Sequence, residues 1–288
     1  MSSSGDALRR AQAADEERRA GGGGHDRRQS LQSLERGIAV IQVFSRERPA
    51  LTLSEVARLT GITRATARRI LLTLEDVGHV RCDGRLFSLT PRVLTLGWAY
   101  LSSLNLWETA QPMMEELAQT TNESCSAATL DLPDVVYVAR MPTGRIMTIS
   151  LGVGTRLPAH CTSMGRALLA GLPDAELDAF LADARLEPFT DRTITDRSRL
   201  RQAIESVRED GWALVDQELE IGLRSVAAPL RAVGQTIAAL NVAVAAPRVP
   251  LEELRRTILP ALLETAALIS TALDRQRRNG APPLGPLD

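Results

Sequence analysis

Between Gly61 and Gly78 the chain reads GITRATARRILLTLEDVG, and Ala67, Ile70, Leu71, Leu74 and Val77 recur three and four residues apart. That spacing predicts a helix with one buried stripe. Thr63 stands where a cap accepts a backbone hydrogen bond, and Gly78 where a helix ends. The opposite face is centred on Ala65, Arg69, Leu72 and Asp76, with Thr66 and Arg68 beside it and Arg64 in the first turn. This face is basic at its N-terminal end and acidic only at Glu75 and Asp76. The preceding LTLSEVARLTG predicts a short helix from Leu53, Val56, Ala57 and Leu59, stopped by Gly61. Further back, SLERGIAVIQVFS predicts a helix with Leu34, Ile38, Ile41 and Phe44 on one stripe, followed by a break at Pro49. Downstream, HVRCDGRLFSLT predicts two short strands turning at Asp83-Gly84, with Val80 and Cys82 alternating against Arg81.

Two short helices around a tight glycine turn, followed by a hairpin, make a winged helix-turn-helix. Its second helix enters a major groove N-terminus first, where Arg reaches guanine edges or phosphates and Ala65 reaches a thymine methyl. The expected contacts to double-stranded operator DNA are Arg64, Ala65, Thr66, Arg68, Arg69 and Thr73. Arg81 and Arg85 flank the wing tip and suit phosphate oxygens. A merely solvated basic face is the blander reading of one Arg-rich helix; the wing that follows favours DNA.

Thr90-Pro91 then opens a further helix, PRVLTLGWAYLSSLNL, apolar on more than one side. Such a helix beside a small domain suits pairing with its twin in a homodimer; the alternative is packing on its own chain. From Trp107 the patterns change. WETAQPMMEELAQTTNE reads as a helix, and SCSAATLDL, DVVYVARM and RIMTISLG as antiparallel strands. CTSMGRALLAGL, PDAELDAFLAD and SRLRQAIESVREDG read as helices, GWALVDQE, RSVAAPLRA and QTIAALNVAVAA as strands, and the stretch from Val249 to Arg278 as a long helix kinked at Pro260. The expected organisation is a disordered tail over 1–28, a winged helix-turn-helix over 29–90, a linker helix over 91–106, a sheet covered by helices over 107–278 and a disordered tail over 279–288. The last domain is large enough to enclose a small-molecule cavity.

Charge sharpens this division. The net charge of −1 hides 16 Arg against 11 acids up to residue 97, which is +5, and 18 Arg against 24 acids beyond it, which is −6. The basic half is expected to meet an anionic partner. The chain has no Lys, which excludes Schiff-base and lysine-base chemistry. Cys82, Cys125, Cys161, His25, His79 and His160 form no ligand spacing, so no metal, cofactor or disulfide framework is expected. No run approaches the roughly 18 apolar residues of a membrane span, and the polar N-terminus lacks a signal-peptide core. A soluble cytoplasmic protein is the expectation.

SLERGIAVIQVFS, LSEVARLTGITRATARRILLTLEDVG, LPAHCTSMGRALLA and VDQELEIGLRSVAAPL together resemble the IclR family of bacterial transcriptional regulators over nearly all of Ser33 to Arg278. GITRATARRILLTLEDVGHV and YVARMPTGRIMTISLGVGTRLPAHCTSMGRALLA are similar to its PcaR/PcaU/PobR branch, which is associated with the β-ketoadipate pathway of aromatic catabolism. The resemblance implies an α+β two-domain protein, with a winged helix, a linker helix and a GAF-like effector-binding domain. It implies dimers that often pair on DNA, activation or repression, and a small carboxylate effector such as protocatechuate, β-ketoadipate or 4-hydroxybenzoate. By the same resemblance His160, Thr162, Ser163, Met164, Asp216, Leu219, Leu223 and Ser225 line the effector cavity. Met147 on the strand RIMTISLG is a further candidate for its wall, and Arg145 and Arg156 are weaker candidates for pairing with a carboxylate. Thr162 and Ser163 also suffice as plain helix caps, and Asp216 suits a ligand hydroxyl or a nearby Arg. Catalysis is disfavoured, because adjacent His160 and Cys161 seldom aim at each other and CTSMG is not a GxSxG elbow. Regulation of another carbon-source pathway and gating by a partner protein are the competing functional readings.

Overall fold

The computed structural model describes residues 31–45, 47–103, 106–143 and 151–278. The chain divides into two compact units, with the break between residues 102 and 103.

In the first unit α1 (Gln32–Gln42), α2 (Leu53–Thr60) and α3 (Arg64–Asp76) pack with β1 (Ala50–Thr52), β2 (Val80–Asp83) and β3 (Leu86–Leu89). Local chemistry fixes each boundary. Thr52 and Glu55 form a reciprocal capping box at the start of α2, and Gly61 ends it with φ 67. Thr63 caps α3 by accepting from the Thr66 N–H. Val40, Leu51, Val56, Ala57, Ala67, Leu71 and Val80 form the core. The sheet order is β1-β3-β2, all antiparallel.

Four details differ from the sequence reading. Leu34 and Ile38 are exposed, and α1 instead buries Val40 with Val43 and Phe44 beside it, because only its C-terminal half lies on the core. Val77 is exposed as well: α3 ends at Asp76, so the helical period no longer places it. Ala50–Thr52 adds an unforeseen strand that buries Leu51 against β3. Asp83 pairs with Leu86, so the wing turn is Gly84-Arg85 rather than Asp83-Gly84, with Gly84 at φ 62, and Cys82 lies exposed on it. After β3 a 3-10 turn (Pro91–Val93) leads into α4 (Leu94–Ser103).

The second unit is a six-stranded antiparallel sheet of order β6-β5-β4-β9-β8-β7. Its strands are β4 (Ser124–Asp131), β5 (Asp134–Met141), β6 (Arg156–Pro158), β7 (Ala213–Asp216), β8 (Leu223–Ala232) and β9 (Gln235–Ala245). Strand period sends alternate residues to opposite faces. One face carries Ala128, Tyr137, Ala227 and Ala239 against α6 (Ser163–Leu169), α7 (Asp174–Asp183) and α8 (Arg197–Asp210). The other packs on α5 (Leu106–Thr121) and α10 (Leu259–Arg278).

The closing helical run begins with α9 (Leu251–Glu253), passes through a π-helical turn (Leu254–Ile258) and continues as α10. Pro260 has no N–H for the carbonyl four residues back, and its ring crowds that carbonyl, so the wider turn falls just before it. The stretch Leu251–Gln276 is long and apolar enough to cross a membrane. Within it Leu254, Ile258, Leu262, Ile269 and Leu273 are buried in the protein, and Leu263 and Leu268 are exposed. The strand expected at RIMTISLG lies largely outside the described residues, as do both expected disordered tails.

Candidate functional site

The exposed face of α3 is built by its own periodicity. Burying Ala67 and Leu71 turns Arg64, Ala65, Arg68, Arg69 and Thr73 to solvent, and Thr66 is half-buried. Thr66 Oγ1 lies 2.9 Å from Thr63 Oγ1, and the Thr73 hydroxyl donates to the Arg69 carbonyl at 2.9 Å. Among the described residues no acid pairs with Arg64, Arg68, Arg69 or Arg85, so their guanidinium groups are available to an outside anion. Arg81 is exposed on the wing and donates to the Ser88 hydroxyl at 3.0 Å. Arg64, Arg68 and Arg69, like charges within one and a half turns, repel one another. A polyanion relieves that repulsion.

In the second unit a small cavity of about 30 Å³ lies between the sheet and the start of α6. Thr162, Ser163 and Met164 line it from α6, Leu219 from the loop before β8, and Leu223 and Ser225 from β8 itself. Tyr137, Leu151, Leu157, Cys161, Val215, Asn241 and Ala243, which the sequence reading did not single out, complete the wall. Among the described residues no charged side chain belongs to that lining. The Ser163 hydroxyl is buried and has no hydrogen-bond partner among the described residues. Its neighbour Thr162 is occupied: its hydroxyl donates to the Pro158 carbonyl and accepts from the Gly165 N–H, capping α6. Asn241 Oδ1 accepts from the Ser126 N–H at 3.1 Å. Burial pushes the Tyr137 phenol and the Cys161 thiol well above their ordinary ranges, so both stay protonated.

Two of the expected cavity residues sit elsewhere. His160 lies in the 3-10 turn before α6, with Nε2 3.1 Å from the Glu187 carbonyl and its ring 6.2 Å from that of Phe189. Asp216 follows Val215 on β7, and strand alternation turns it to the opposite face. There it faces its cross-strand partner Arg224, whose Nε donates to it at 2.8 Å, and it also holds Arg192 at 3.4 Å. Arg156 is held by Asp131 at 2.5 Å and Asp134 at 3.3 Å. Met147 and Arg145 lie outside the described residues.

Behind the cavity a buried ion pair joins α6 to the loop before β8. Arg166 Nη2 meets Glu218 Oε2 at 2.5 Å, and both side chains are almost wholly buried. Arg166 Nε donates to the His160 carbonyl, and Glu218 Oε2 also accepts from the Ile194 N–H. The pair therefore fixes Leu219, the next residue, as part of the cavity wall. Among the described residues no group of His, Cys, Asp and Glu is placed to hold a metal ion.

A winged helix with a basic recognition face, carried on one chain with a sheet-and-helix unit that holds a small cavity, defines the class of ligand-responsive transcriptional regulators. The chain belongs to the IclR family. The family's helix-turn-helix domain matches residues 33–84, and the "bacterial transcriptional regulator IclR C-terminal" domain matches residues 98–271. It is 47% identical over 235 residues to the Pca regulon regulatory protein of Pseudomonas putida, covering 81% of each chain. A solved structure from Rhodococcus sp. RHA1 is 53% identical, with a TM-score of 0.78 over 86% of this chain and 100% of that one. An IclR homologue from Microbacterium hydrocarbonoxydans, solved in complex with 4-hydroxybenzoate, is 27% identical, with a TM-score of 0.76 over 84% of this chain and 99% of that one.

Proposed function

We propose that this regulator controls genes of aromatic-acid catabolism, binding operator DNA through α3 and the wing and a small carboxylate effector in the cavity beside Ser163. The observation that carries the ligand reading is that cavity, where the buried Ser163 hydroxyl has no hydrogen-bond partner among the described residues and the rest of the lining is mostly apolar. A native protein rarely leaves such a group unsatisfied. A ligand oxygen beside Ser163 supplies the missing bond. Pathway acids such as protocatechuate, 4-hydroxybenzoate and β-ketoadipate offer such oxygens. The relative bound to 4-hydroxybenzoate and the Pca regulatory relative point to the same chemical class.

The cavity holds about 30 Å³, whereas ligand pockets typically hold about 300–1,000 Å³. An acid therefore enters only if the walls part. A ligand that binds an opened arrangement and not the closed one shifts the population between them, which is what gating requires. The domain acts by binding rather than catalysis: the Cys161 thiol stays protonated, and the His160 ring is engaged with the Glu187 carbonyl. Such a protein works in the cytoplasm, where its DNA is.

The assembly is a homodimer, or a pair of homodimers on DNA. Leu94, Leu96, Trp98 and Tyr100, on two sides of α4, are each half or more exposed, and Leu31, Leu34 and Ile38 form an exposed apolar row leading into and along α1. Apolar rows of this kind mark contact surfaces rather than free surface. The dimeric reading predicts a concentration-independent dimer mass in sedimentation at micromolar protein; a monomer there contradicts it.

Two substitutions test the sites. Arg69→Ala is expected to weaken operator binding by about 1–3 kcal/mol if Arg69 reads a base. The loss is then confined to the correct sequence, whereas a phosphate contact costs the same on every duplex and lowers the salt slope. Operator affinity equal to wild type refutes both roles. Ser163→Ala is expected to weaken effector binding by about tenfold, the size of one hydrogen bond to a charged group. The ligand-free protein should melt no lower, because the substitution removes an unsatisfied buried hydroxyl. Selection of bound duplexes from random DNA, with and without each acid, tests the whole reading: the expected outcome is one enriched motif whose recovery changes with one acid.

A further inference from the structure

We infer that Thr90 is a positioning residue that locks the start of α4 to the end of the recognition helix, so that the orientation of α4 sets the spacing at which two copies meet DNA. This inference rests on the dimeric reading above.

One side chain makes both halves of the joint. The Thr90 hydroxyl donates to the Gly78 carbonyl at 2.5 Å, at the turn that closes α3. The same oxygen accepts from the Arg92 N–H at 3.2 Å, capping the helical turn that leads into α4. Beside it the Thr90 N–H donates to the His79 carbonyl at 2.9 Å, and the His79 N–H donates to the Leu74 carbonyl within α3 at 2.8 Å. The chain of bonds therefore runs from the last turn of α3 through Gly78 and His79 to Thr90 and the first turn before α4.

Gly78 completes the joint in two ways. Its φ of +82 is a left-handed conformation that other residues adopt only under strain. A Cβ there would also stand 2.9 Å from Arg92 Nη1 and 3.3 Å from Arg92 Cδ, so the arginine lies across the bare glycine. Thr90 is only half-buried and contributes no large apolar group to the core, so packing alone does not explain it. With the joint closed, a rotation of α4 carries α3 with it. With the joint open, α3 swivels about the intervening wing, and α4 no longer dictates where each recognition helix falls.

The test uses the full-length protein and an operator recovered by selection from random duplex DNA. Fluorescence anisotropy compares three duplexes: that operator, the same operator with one base pair inserted between half-sites, and a single half-site. The wild type should discriminate against the inserted base pair. In Thr90→Val, which keeps the shape and loses the hydroxyl, this discrimination should fall by about tenfold, the worth of one well-placed hydrogen bond. Its half-site affinity should be unchanged, and Thr90→Ser should restore the discrimination. A Thr90→Val protein that discriminates as well as wild type overturns the joint alone. Loss of half-site affinity that Thr90→Ser fails to restore also overturns it, marking Thr90 as a folding residue. A wild type indifferent to the inserted base pair overturns the dimeric reading and the joint together.

Discussion

Replacing Glu218 with alanine is expected to destabilise the second unit by about 3–5 kcal/mol, the cost of leaving a buried charge without its partner. The charge left behind is Arg166, almost wholly buried, with the His160 carbonyl still accepting from it among the described residues. The Ile194 N–H loses its acceptor as well. For a domain of this size each kcal/mol lowers the melting temperature by about 2–4 °C, so the fall should be roughly 6–20 °C. The effect belongs to the broken pair rather than to the loss of ionic groups as such. Replacing both partners, as Arg166→Met with Glu218→Leu, should therefore recover most of the stability. Differential scanning calorimetry of the two single variants and the double variant measures the coupling directly. If the double variant melts as low as Glu218→Ala, the pair is not what holds α6 against the loop before β8.

Gly165→Ala is expected to be as damaging, for a steric reason. A Cβ at Gly165 would overlap the backbone of Ala159, including its Cα and its carbonyl oxygen. The obstacle is main chain, not the flexible end of a side chain, so α6 must move away from the 3-10 turn before it. Overpacking typically costs about 1–3 kcal/mol and more where backbone must shift; about 3 kcal/mol is expected here. Because Thr162, Ser163 and Met164 at the start of that helix line the cavity, the displacement should also abolish effector binding at concentrations that saturate wild type. Operator affinity in the absence of effector should persist, since α3 and the wing are untouched. A Gly165→Ala protein with wild-type melting and wild-type effector affinity would show that the approach to Ala159 is not a constraint.

The winged helix was legible because its signals are local. Gly61, Thr63 and Gly78 each act within a few residues of the boundary they set, and the buried stripe of α3 needs no knowledge of its neighbours. What failed there was non-local. Leu51 belongs to a strand only because β3 returns beside it, and the exposure of Leu34 and Ile38 depends on how little of α1 the core can cover. The second unit shows the same division. Thr162 as a cap of α6 followed from its position before a helical pattern. By contrast Tyr137, Val215 and Asn241 reach the cavity from β5, β7 and β9, and only the strand order brings those three together. The position of Asp216 outside this cavity follows from strand alternation. Leu223 and Ser225 share a face two residues apart, Arg224 between them faces away, and Asp216 pairs with Arg224 across the strands. The Arg166–Glu218 pair had no local signal, since its partners are 52 positions apart.

The central claim is that the second unit takes a small carboxylate of aromatic catabolism, and a thermal-shift titration of the full-length protein tests it most directly. The panel is protocatechuate, 4-hydroxybenzoate, β-ketoadipate, catechol and cis,cis-muconate. An acid present at a hundred times its dissociation constant stabilises the folded state by about 2.7 kcal/mol. The account predicts that one acid raises the melting temperature by roughly 5–10 °C, and that Ser163→Ala shifts that response to higher concentration. No rise with any member of the panel at millimolar concentration would contradict the account, and would leave the second unit answering to a different ligand or to a protein partner.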